Sequence, residues 1–357
     1  MIKIKMTPTK VAIIGAGPLC IELAVALKRA SIPHLHFDAK QIGYTISWFP
    51  PQTRFFSSNE RIAIAGVPLQ TPDQMKCTRE QYLAYLRCVV QQFDLKINTY
   101  EPVVDIRLTP SPGTPGEGRG EGLAAERVAL TTLRNNIEHQ YTAEKIILAT
   151  GGTAHPRRLN VPGEDLPHVH PHWSDPHAYF NKKVLIVGGK NSAVETALRF
   201  HNAGAKVSLS YRRPELPAKS IKYWLLPEIN SLIKSGQIAA YPSTQVTSIT
   251  PTHVALNDST QIEADFVVPQ IGYTADMSLC KLANIKLEGD RRVPVYNPET
   301  METSVPGIYL CGTVIGGTQD KYEVFIENGH AHVEKIVAHL TGKHTAVPEV
   351  VYANPES

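Results

Sequence analysis

Short runs of consecutive apolar residues alternate along this chain with stretches in which apolar positions recur every three or four residues. That pattern predicts buried strands feeding amphipathic helices. "VAII" (Val11–Ile14) reads as a buried strand, "IELAVALKRA" as a helix and "HLHFDA" as the strand that follows. Further on, "YLAYLRCVVQQF" predicts a helix, with Thr78 and Gln81 placed to form a capping box at its start. Alternating stretches "PVVDIRLT", "RVALTTL" and "IEHQYTAEKIILATGG" then predict strands, the last ending in small residues. The same order recurs from Lys183: strand "VLIVGG", helix "SAVETALRFHNA", strand "KVSLSY", a short β region, and an apolar strand ending "VPQIG". The tail adds a buried strand in "VPGIYLCG" and a helix in "YEVFIENGHAHVEKIVAHL", expected to start near Tyr322. "TPSPGTPGEGRGEG" (109–122) carries no large apolar side chain and reads as a flexible hairpin insertion.

Each repeat opens with a glycine turn between strand and helix, the arrangement that presents unpaired helix N–H groups and a partial positive charge to a pyrophosphate. In the first, Gly15, Gly17 and Pro18 make the turn, and Asp38 ends the next strand 23 positions after Gly15. An acid there accepts hydrogen bonds from a ribose diol. In the second, Gly188 and Gly189 are followed by Lys190, Asn191 and Ser192, and the next strand ends in Arg212 and Arg213. Two guanidinium groups suit the 2′-phosphate of NADPH, which leaves FAD as the natural occupant of the first site. The plainer reading of the two arginines is a solvated basic loop. Lys190 stands where a second glycine is usual, and reads either as a phosphate contact or as an exposed turn lysine. Cys20 stands at the third small position, where a small side chain packs helix against strand; a redox role is the competing reading.

Composition narrows the partners. The chain has 357 residues, enough for about two domains, with 42% hydrophobic and 19% charged residues. A formal charge of +3 without a dense basic block does not suggest nucleic acid or a membrane surface. No apolar run of about 18 residues is present. "MIKIKMTPTKVAIIG" runs almost directly into a strand, so a cytoplasmic location is expected. The five cysteines, Cys20, Cys77, Cys88, Cys280 and Cys311, contain no Cys-x-x-Cys pair and no zinc or disulfide spacing. His168, His170, His172 and His177 cluster in sequence, but Pro171 interrupts them and no ligand pair completes a site. No metal is expected.

Taken together, "GAGP", "ILATGG", "VGGKNSAVE", "IGYTAD" and "GIYLCG" resemble the two-dinucleotide-binding flavoproteins of the thioredoxin reductase-like superfamily. "RFFSSNERIAIAGVP", "HPHWSDPHAYFNKKVLIVGGKNSAVE" and "FIENGHAH" look like its bacillithiol disulfide reductase group, in which Lys190 of "GGKNSA" belongs to the pattern. The resemblance implies an α/β fold of two Rossmann-like domains, the NADPH domain inserted in a split FAD domain. On that reading residues 1–155 and 272–357 form the FAD domain and 156–271 the NADPH domain, with crossovers at Ala149–Gly151 and Gln270–Tyr273. It also implies that Gly151, Gly312 and Thr313 approach the flavin, that Phe55, Phe56, Ser57 and Ser58 line its pocket, and that the last helix points its N-terminus at the ring. Many relatives have Asp where Thr313 stands. The group usually has cysteine where Leu19 stands, with Cys20 one residue later.

The resemblance favours NADPH-dependent reduction of a low-molecular-weight disulfide, directly at the flavin or through Cys20, by a homodimer or homotetramer. Lack of Cys-x-x-Cys argues against a protein thioredoxin as substrate. Three other readings stay open. One is a flavin monooxygenase, whose histidine–tryptophan motif "HVHPHWSD" resembles in part. Another is a ferredoxin or flavodoxin reductase, and the last a nucleotide-binding sensor without turnover.

Overall fold

The computed structural model describes residues 6–109, 127–173, 175–320 and 323–343. The principal strands of the first half are β1 (Thr7–Ile14), β2 (His34–Phe37), β3 (Val103–Thr109), β4 (Arg127–Arg134) and β5 (Ile137–Leu148). Then come β6 (Lys183–Val187), β7 (Lys206–Tyr211), β8 (Ala239–Pro242), β9 (Val246–Ile249), β10 (His253–Leu256), β11 (Gln261–Glu263) and β12 (Phe266–Pro269). A last strand, β13, spans Ile308–Leu310. The main helices are α1 (Pro18–Arg29), α2 (Arg79–Gln92), α3 (Asn191–Asn202), α4 (Leu226–Lys234) and α5 (Ile326–Thr341). Residues 110–122 of the glycine- and proline-rich stretch lie outside the described residues, as does Tyr322.

The chain divides into two compact units. Among the described residues the first comprises 6–47, Ser57–Ala154 and 274–343. The second comprises His155–Tyr273 together with Trp48–Phe56. That short segment lies in sequence between Ser47 and Ser57 of the first unit, yet it groups with the second.

In the first unit β2, β1 and β5 run parallel, and β13 joins the other edge of β5 in parallel through Ile308, Tyr309 and Leu310. The N-terminal half of β5 instead pairs antiparallel with β4, and β4 with β3. β5 is 12 residues long because it serves both arrangements. Its buried end, Ile146–Leu148, is apolar at every position, as expected of a strand covered on both faces. The register also explains why β1 begins at Thr7 although only Val11–Ile14 are buried: its exposed start pairs with Tyr141–Ala143. Ile21, Leu23, Leu27 and neighbouring residues form the buried face of α1. Each such side chain contributes about 1.5–3 kcal/mol relative to exposure. α2 opens with the reciprocal capping box of Thr78 and Gln81.

The second unit carries a four-stranded parallel sheet in the order β12-β6-β7-β8, and a three-stranded antiparallel sheet β9-β10-β11. Alternate residues of β6 feed two different cores: Val184 and Ile186 pack with α3, while Leu185 and Val187 pack with the β9–β11 layer. The continuous apolar run read from the sequence is therefore a strand buried from both sides.

Candidate nucleotide sites

The first glycine turn is set by backbone geometry. Gly15 has φ +115°, and a Cβ there would lie 2.4 Å from the Ala149 carbonyl oxygen at the end of β5. Only glycine permits that approach and that dihedral. The Gly15 N–H donates to Phe37 O at 2.8 Å, and His36 Nε2–H donates to Gly15 O at 2.7 Å. Burial drives the His36 imidazole down to about 4, so it is a neutral donor that orients this peptide. Gly17 is the N-cap of α1, with Pro18 in the first turn, no capping side chain and no acid. A Cβ on Gly17 meets nothing within 4 Å, so the N-cap position of α1 borders open space.

Asp38 stands at the end of β2 with both carboxylate oxygens engaged. Oδ2 accepts from the Ala16 N–H and Oδ1 from the Lys40 N–H, each at 2.6 Å. Burial raises its pKa and the two amide hydrogen bonds oppose the rise. The bonds orient the acid at the turn and leave lone pairs for further donors.

The ends of β5 and β13 close on the same region. The Gly152 N–H donates to Thr313 Oγ1 at 2.9 Å, and a Cβ on Gly151 would lie 3.7 Å from that oxygen. Gly312 has φ +77°, and its N–H donates to His332 Nδ1 of α5 at 3.1 Å. Burial, with the nearby Lys335 and His330 charges, lowers His332 to about 4, which suits an acceptor nitrogen. Thr313 thus ties the two strand ends together, a structural use that the sequence did not reveal. Thr150 Oγ1 and Gln319 Nε2 are buried with no hydrogen-bond partner among the described residues. Buried polar atoms without partners are uncommon, and here they mark places where a bound group can supply one.

Cys20 is buried one turn into α1, its Sγ 3.5 Å from the Ala149 carbonyl. Burial pushes its thiol up to about 12. Leu19 turns toward α5, where a Cβ on Gly329 would fall 2.2 Å from Leu19 Cδ1. Glu22, also on α1, meets His330 of α5: Oε2 lies 2.7 Å from Nδ1, while Nε2–H donates to Arg61 O at 3.0 Å. The sequence singled out "FIENGHAH" without assigning these roles. Ser58 is the N-cap of a short helix at Asn59–Ile62, and Phe56 groups with the second unit, where it stacks on Trp224 at 6.0 Å. The last helix starts at Ile326, later than the expected start near Tyr322, because residues 323–325 are not helical; the extended Phe325 is its N-cap, its N–H held by Asn328 Oδ1 at 2.8 Å.

The second turn repeats the first. Gly188 has φ +138°, with a Cβ position 2.4 Å from Gln270 O at the end of β12. Its N–H donates to Ser210 O at 2.8 Å. Gly189 lies against Tyr211, leaving 3.0 Å for a Cβ. Lys190 is the N-cap of α3, and neither a side-chain cap nor an acid occupies the first turn. Asn191 Oδ1 accepts from the Lys222 N–H at 3.1 Å. Ser192 follows Asn191 in the first turn of α3. Arg212 and Arg213 are exposed just beyond β7, with no side-chain hydrogen bond or ion pair among the described residues. Of the histidine-rich linker, His172 packs on Trp48 and Tyr273, and His170 Nδ1 meets Tyr179 Oη at 2.8 Å. Trp173 Nε1–H donates to Thr196 at 3.1 Å. Among the described residues no group of three or more His, Cys, Asp or Glu is arranged to hold a metal ion, and no helix is long and apolar enough to cross a membrane.

Comparison with known proteins agrees with this architecture. The pattern of the pyridine nucleotide-disulphide oxidoreductase family matches residues 12–111 and 129–312. Bacilliredoxin reductase Bdr of Bacillus subtilis is 33% identical over 94% of this chain and 98% of its own length. The structure of bacillithiol disulfide reductase Bdr (YpdA) from Staphylococcus aureus superposes with a TM-score of 0.84 at 30% identity, covering 95% of this chain and all of that one. A ferredoxin–NADP reductase of Ignicoccus hospitalis is 25% identical over 85% of this chain and 88% of its own.

Proposed function

Because the chain belongs to the pyridine nucleotide-disulphide oxidoreductase family, and so is an oxidoreductase that holds a flavin and a pyridine nucleotide, we propose that FAD occupies the first unit and NADPH the second, and that the electrons reduce a low-molecular-weight disulfide of the bacillithiol type. The residues present suit these groups. In the first unit the uncapped N-terminus of α1 behind Gly15 borders open space at Gly17 fit for a pyrophosphate, and Asp38 offers lone pairs to a ribose diol. Gly151, Gly312 and Thr313 cluster beside that turn, and the neighbouring Thr150 and Gln319 each lack a partner for a buried polar atom. In the second unit the first turn of α3, from Lys190 through Ser192, receives the second pyrophosphate, while Arg212 and Arg213 pair with a 2′-phosphate. The chemistry a bound flavin supplies is two-electron transfer: NADPH, a proton and a disulfide become NADP⁺ and two thiols.

One observation carries the choice of acceptor. None of the five cysteines is in a disulfide and only Cys88 is exposed, so no exposed dithiol pair is present to relay electrons to a protein disulfide. The raised pKa of Cys20 gives it almost no thiolate at neutral pH, so we assign it to helix–strand packing and the substrate disulfide reacts without it. Ser57 and Ser58 are assigned to the flavin surroundings by the same family reading, and Phe56 to the segment that leads into them. On the same family reading the α5 N-terminus would favour negative charge on a bound flavin ring.

The test is anaerobic. The purified protein is expected to be yellow, to bleach much faster with NADPH than with NADH, and to regain colour with an oxidised bacillithiol-type compound. A preparation that stays colourless after incubation with FAD would overturn the assignment. Recolouring by ferredoxin and by none of a panel of small disulfides would replace it with the ferredoxin reductase reading, which the Ignicoccus relative supports.

A further inference from the structure

Residues Trp48–Phe56 leave the first unit, join the second and return to the first at Ser57. Three sets of contacts seat this strap. At its start, Trp48 packs on His172 and Tyr273, with ring centroids 5.3 and 6.4 Å away. At its end, Phe56 stacks on Trp224 at 6.0 Å. Between them lies a buried ionic cluster. Glu195 Oε1 accepts from Thr53 Oγ1 at 3.0 Å and from Arg199 Nη2 at 2.9 Å, and Oε2 accepts from Lys222 Nζ at 2.9 Å. Lys222 Nζ also donates to Arg54 O at 2.9 Å, and Arg199 Nη1 to Pro51 O at 2.6 Å. Glu195 and Lys222 are 8% and 7% exposed.

Taking two charges out of water is costly, and packing a loop does not require it. Burial works against the Glu195 carboxylate, yet the Lys222 and Arg199 charges hold its pKa below the usual value, so the cluster is ionised. Its place in the fold gives it a use. Glu195 and Arg199 lie on α3, one and two turns from the N-terminus that receives pyridine nucleotide. Lys222 is also bound there directly, its backbone N–H donating to Asn191 Oδ1. Lys222 thus links the first residue of α3, through its backbone N–H, to Glu195 and the Arg54 carbonyl, through Nζ, and the cluster reaches the Thr53 hydroxyl and the Pro51 carbonyl.

We propose that Glu195, Arg199 and Lys222 are positioning residues that make the strap respond to pyridine nucleotide: occupancy at the α3 N-terminus steadies Asn191 and Lys222, and these fix residues 51–56, whose chain continues into Ser57 and Ser58. This inference rests on the assignment of pyridine nucleotide to the second unit. It adds a coupling by which donor binding orders a segment that leads to the flavin surroundings.

The experiment is hydrogen–deuterium exchange on the full-length flavin-loaded enzyme, with and without saturating NADP⁺, alongside calorimetric titration of NADP⁺. In the wild type, NADP⁺ is expected to slow exchange of peptides covering 48–56 by about tenfold, the scale of one hydrogen bond to a charged group. In Glu195→Gln that slowing is lost while NADP⁺ still binds. Lys222→Arg on the wild-type background, which keeps a cation for Glu195 and Arg54 O, retains the slowing. If Glu195→Gln does not fold, Thr53→Val removes the two Oγ1 hydrogen bonds, one donated to Glu195 and one accepted from Arg199, and leaves the ion pairs, and a weakened response is expected there. Equal slowing in variant and wild type, or a strap in the wild type that ignores bound NADP⁺, overturns the proposal. Absence of any NADP⁺ binding heat overturns the nucleotide assignment itself, and the titration separates the two failures.

Discussion

His330 Nδ1 of α5 lies 2.7 Å from Glu22 Oε2 of α1, and its other ring nitrogen is committed to the Arg61 carbonyl. Burial works against the imidazolium, but the Glu22 hydrogen bond and charge prevail, so His330 titrates above the ordinary imidazole value. A folded-state pKa raised above the unfolded one stabilises the protein fully below the unfolded pKa, and that stability fades as pH rises through the folded pKa. Glu22→Gln is therefore expected to lower stability by about 2 kcal/mol at pH 6, and by less above the folded His330 pKa. Thermal denaturation of wild type and variant between pH 6 and 9 measures this. A stability gap that widens with pH would contradict the assignment.

Leu19 and Gly329 make a second α1–α5 contact, and its prediction concerns volume. Gly329→Ala places a methyl group 2.2 Å from Leu19 Cδ1, which also abuts Gly312. Overpacking of this kind costs about 1–3 kcal/mol. Leu19→Ala combined with Gly329→Ala is expected to recover part of that loss, a coupling that a double-mutant cycle on melting temperature detects.

Gly17 separates ligand binding from folding. Its φ of −74° suits any residue, and nothing in the protein lies within 4 Å of its Cβ position. Gly17→Ala is thus expected to leave apoprotein stability within about 0.5 kcal/mol. Flavin content of the purified variant is expected to fall, because the added methyl enters the space assigned to the pyrophosphate. Full flavin occupancy would show that this space serves another purpose.

Cys20→Ala tests the acceptor chemistry. With its thiol held to about 12, Cys20 is expected to resist alkylation in the native protein at pH 8, and the variant to retain disulfide turnover within about threefold. Loss of turnover with unchanged flavin reduction by NADPH would restore a redox role to this thiol.

The proposed 2′-phosphate contacts of Arg212 and Arg213 carry a prediction about donor preference. Changing both to alanine is expected to raise the KM for NADPH by about 10–100-fold, the scale of charge-assisted contacts to a phosphate dianion. NADH turnover should stay nearly constant, since NADH lacks the 2′-phosphate. Equal losses with both donors would mean that the arginines serve the fold.

Much of this protein is written in local sequence. Two apolar runs ending in glycine, each followed by helical periodicity, specify the strand–turn–helix units because strand burial, positive φ and helix initiation are short-range properties. The Thr78–Gln81 capping box was legible for the same reason: both partners lie within one helical turn. The positions of Asp38 and of the arginine pair just past β2 and β7 were legible because a strand of known rise puts them at a known distance from the turn. The sequence could not show that Gly15 and Gly188 are held against Ala149 and Gln270, since those neighbours come from strands far along the chain. Nor could it show that Cys20 is buried with its thiol against the Ala149 carbonyl. The α1–α5 pairs, Leu19 with Gly329 and Glu22 with His330, join residues about 310 positions apart, and no periodicity encodes such a pairing. Residues 48–56 are the sharpest case: their composition marks an aromatic loop, and only tertiary packing assigns them to the second unit, around a carboxylate that two cations keep charged out of water.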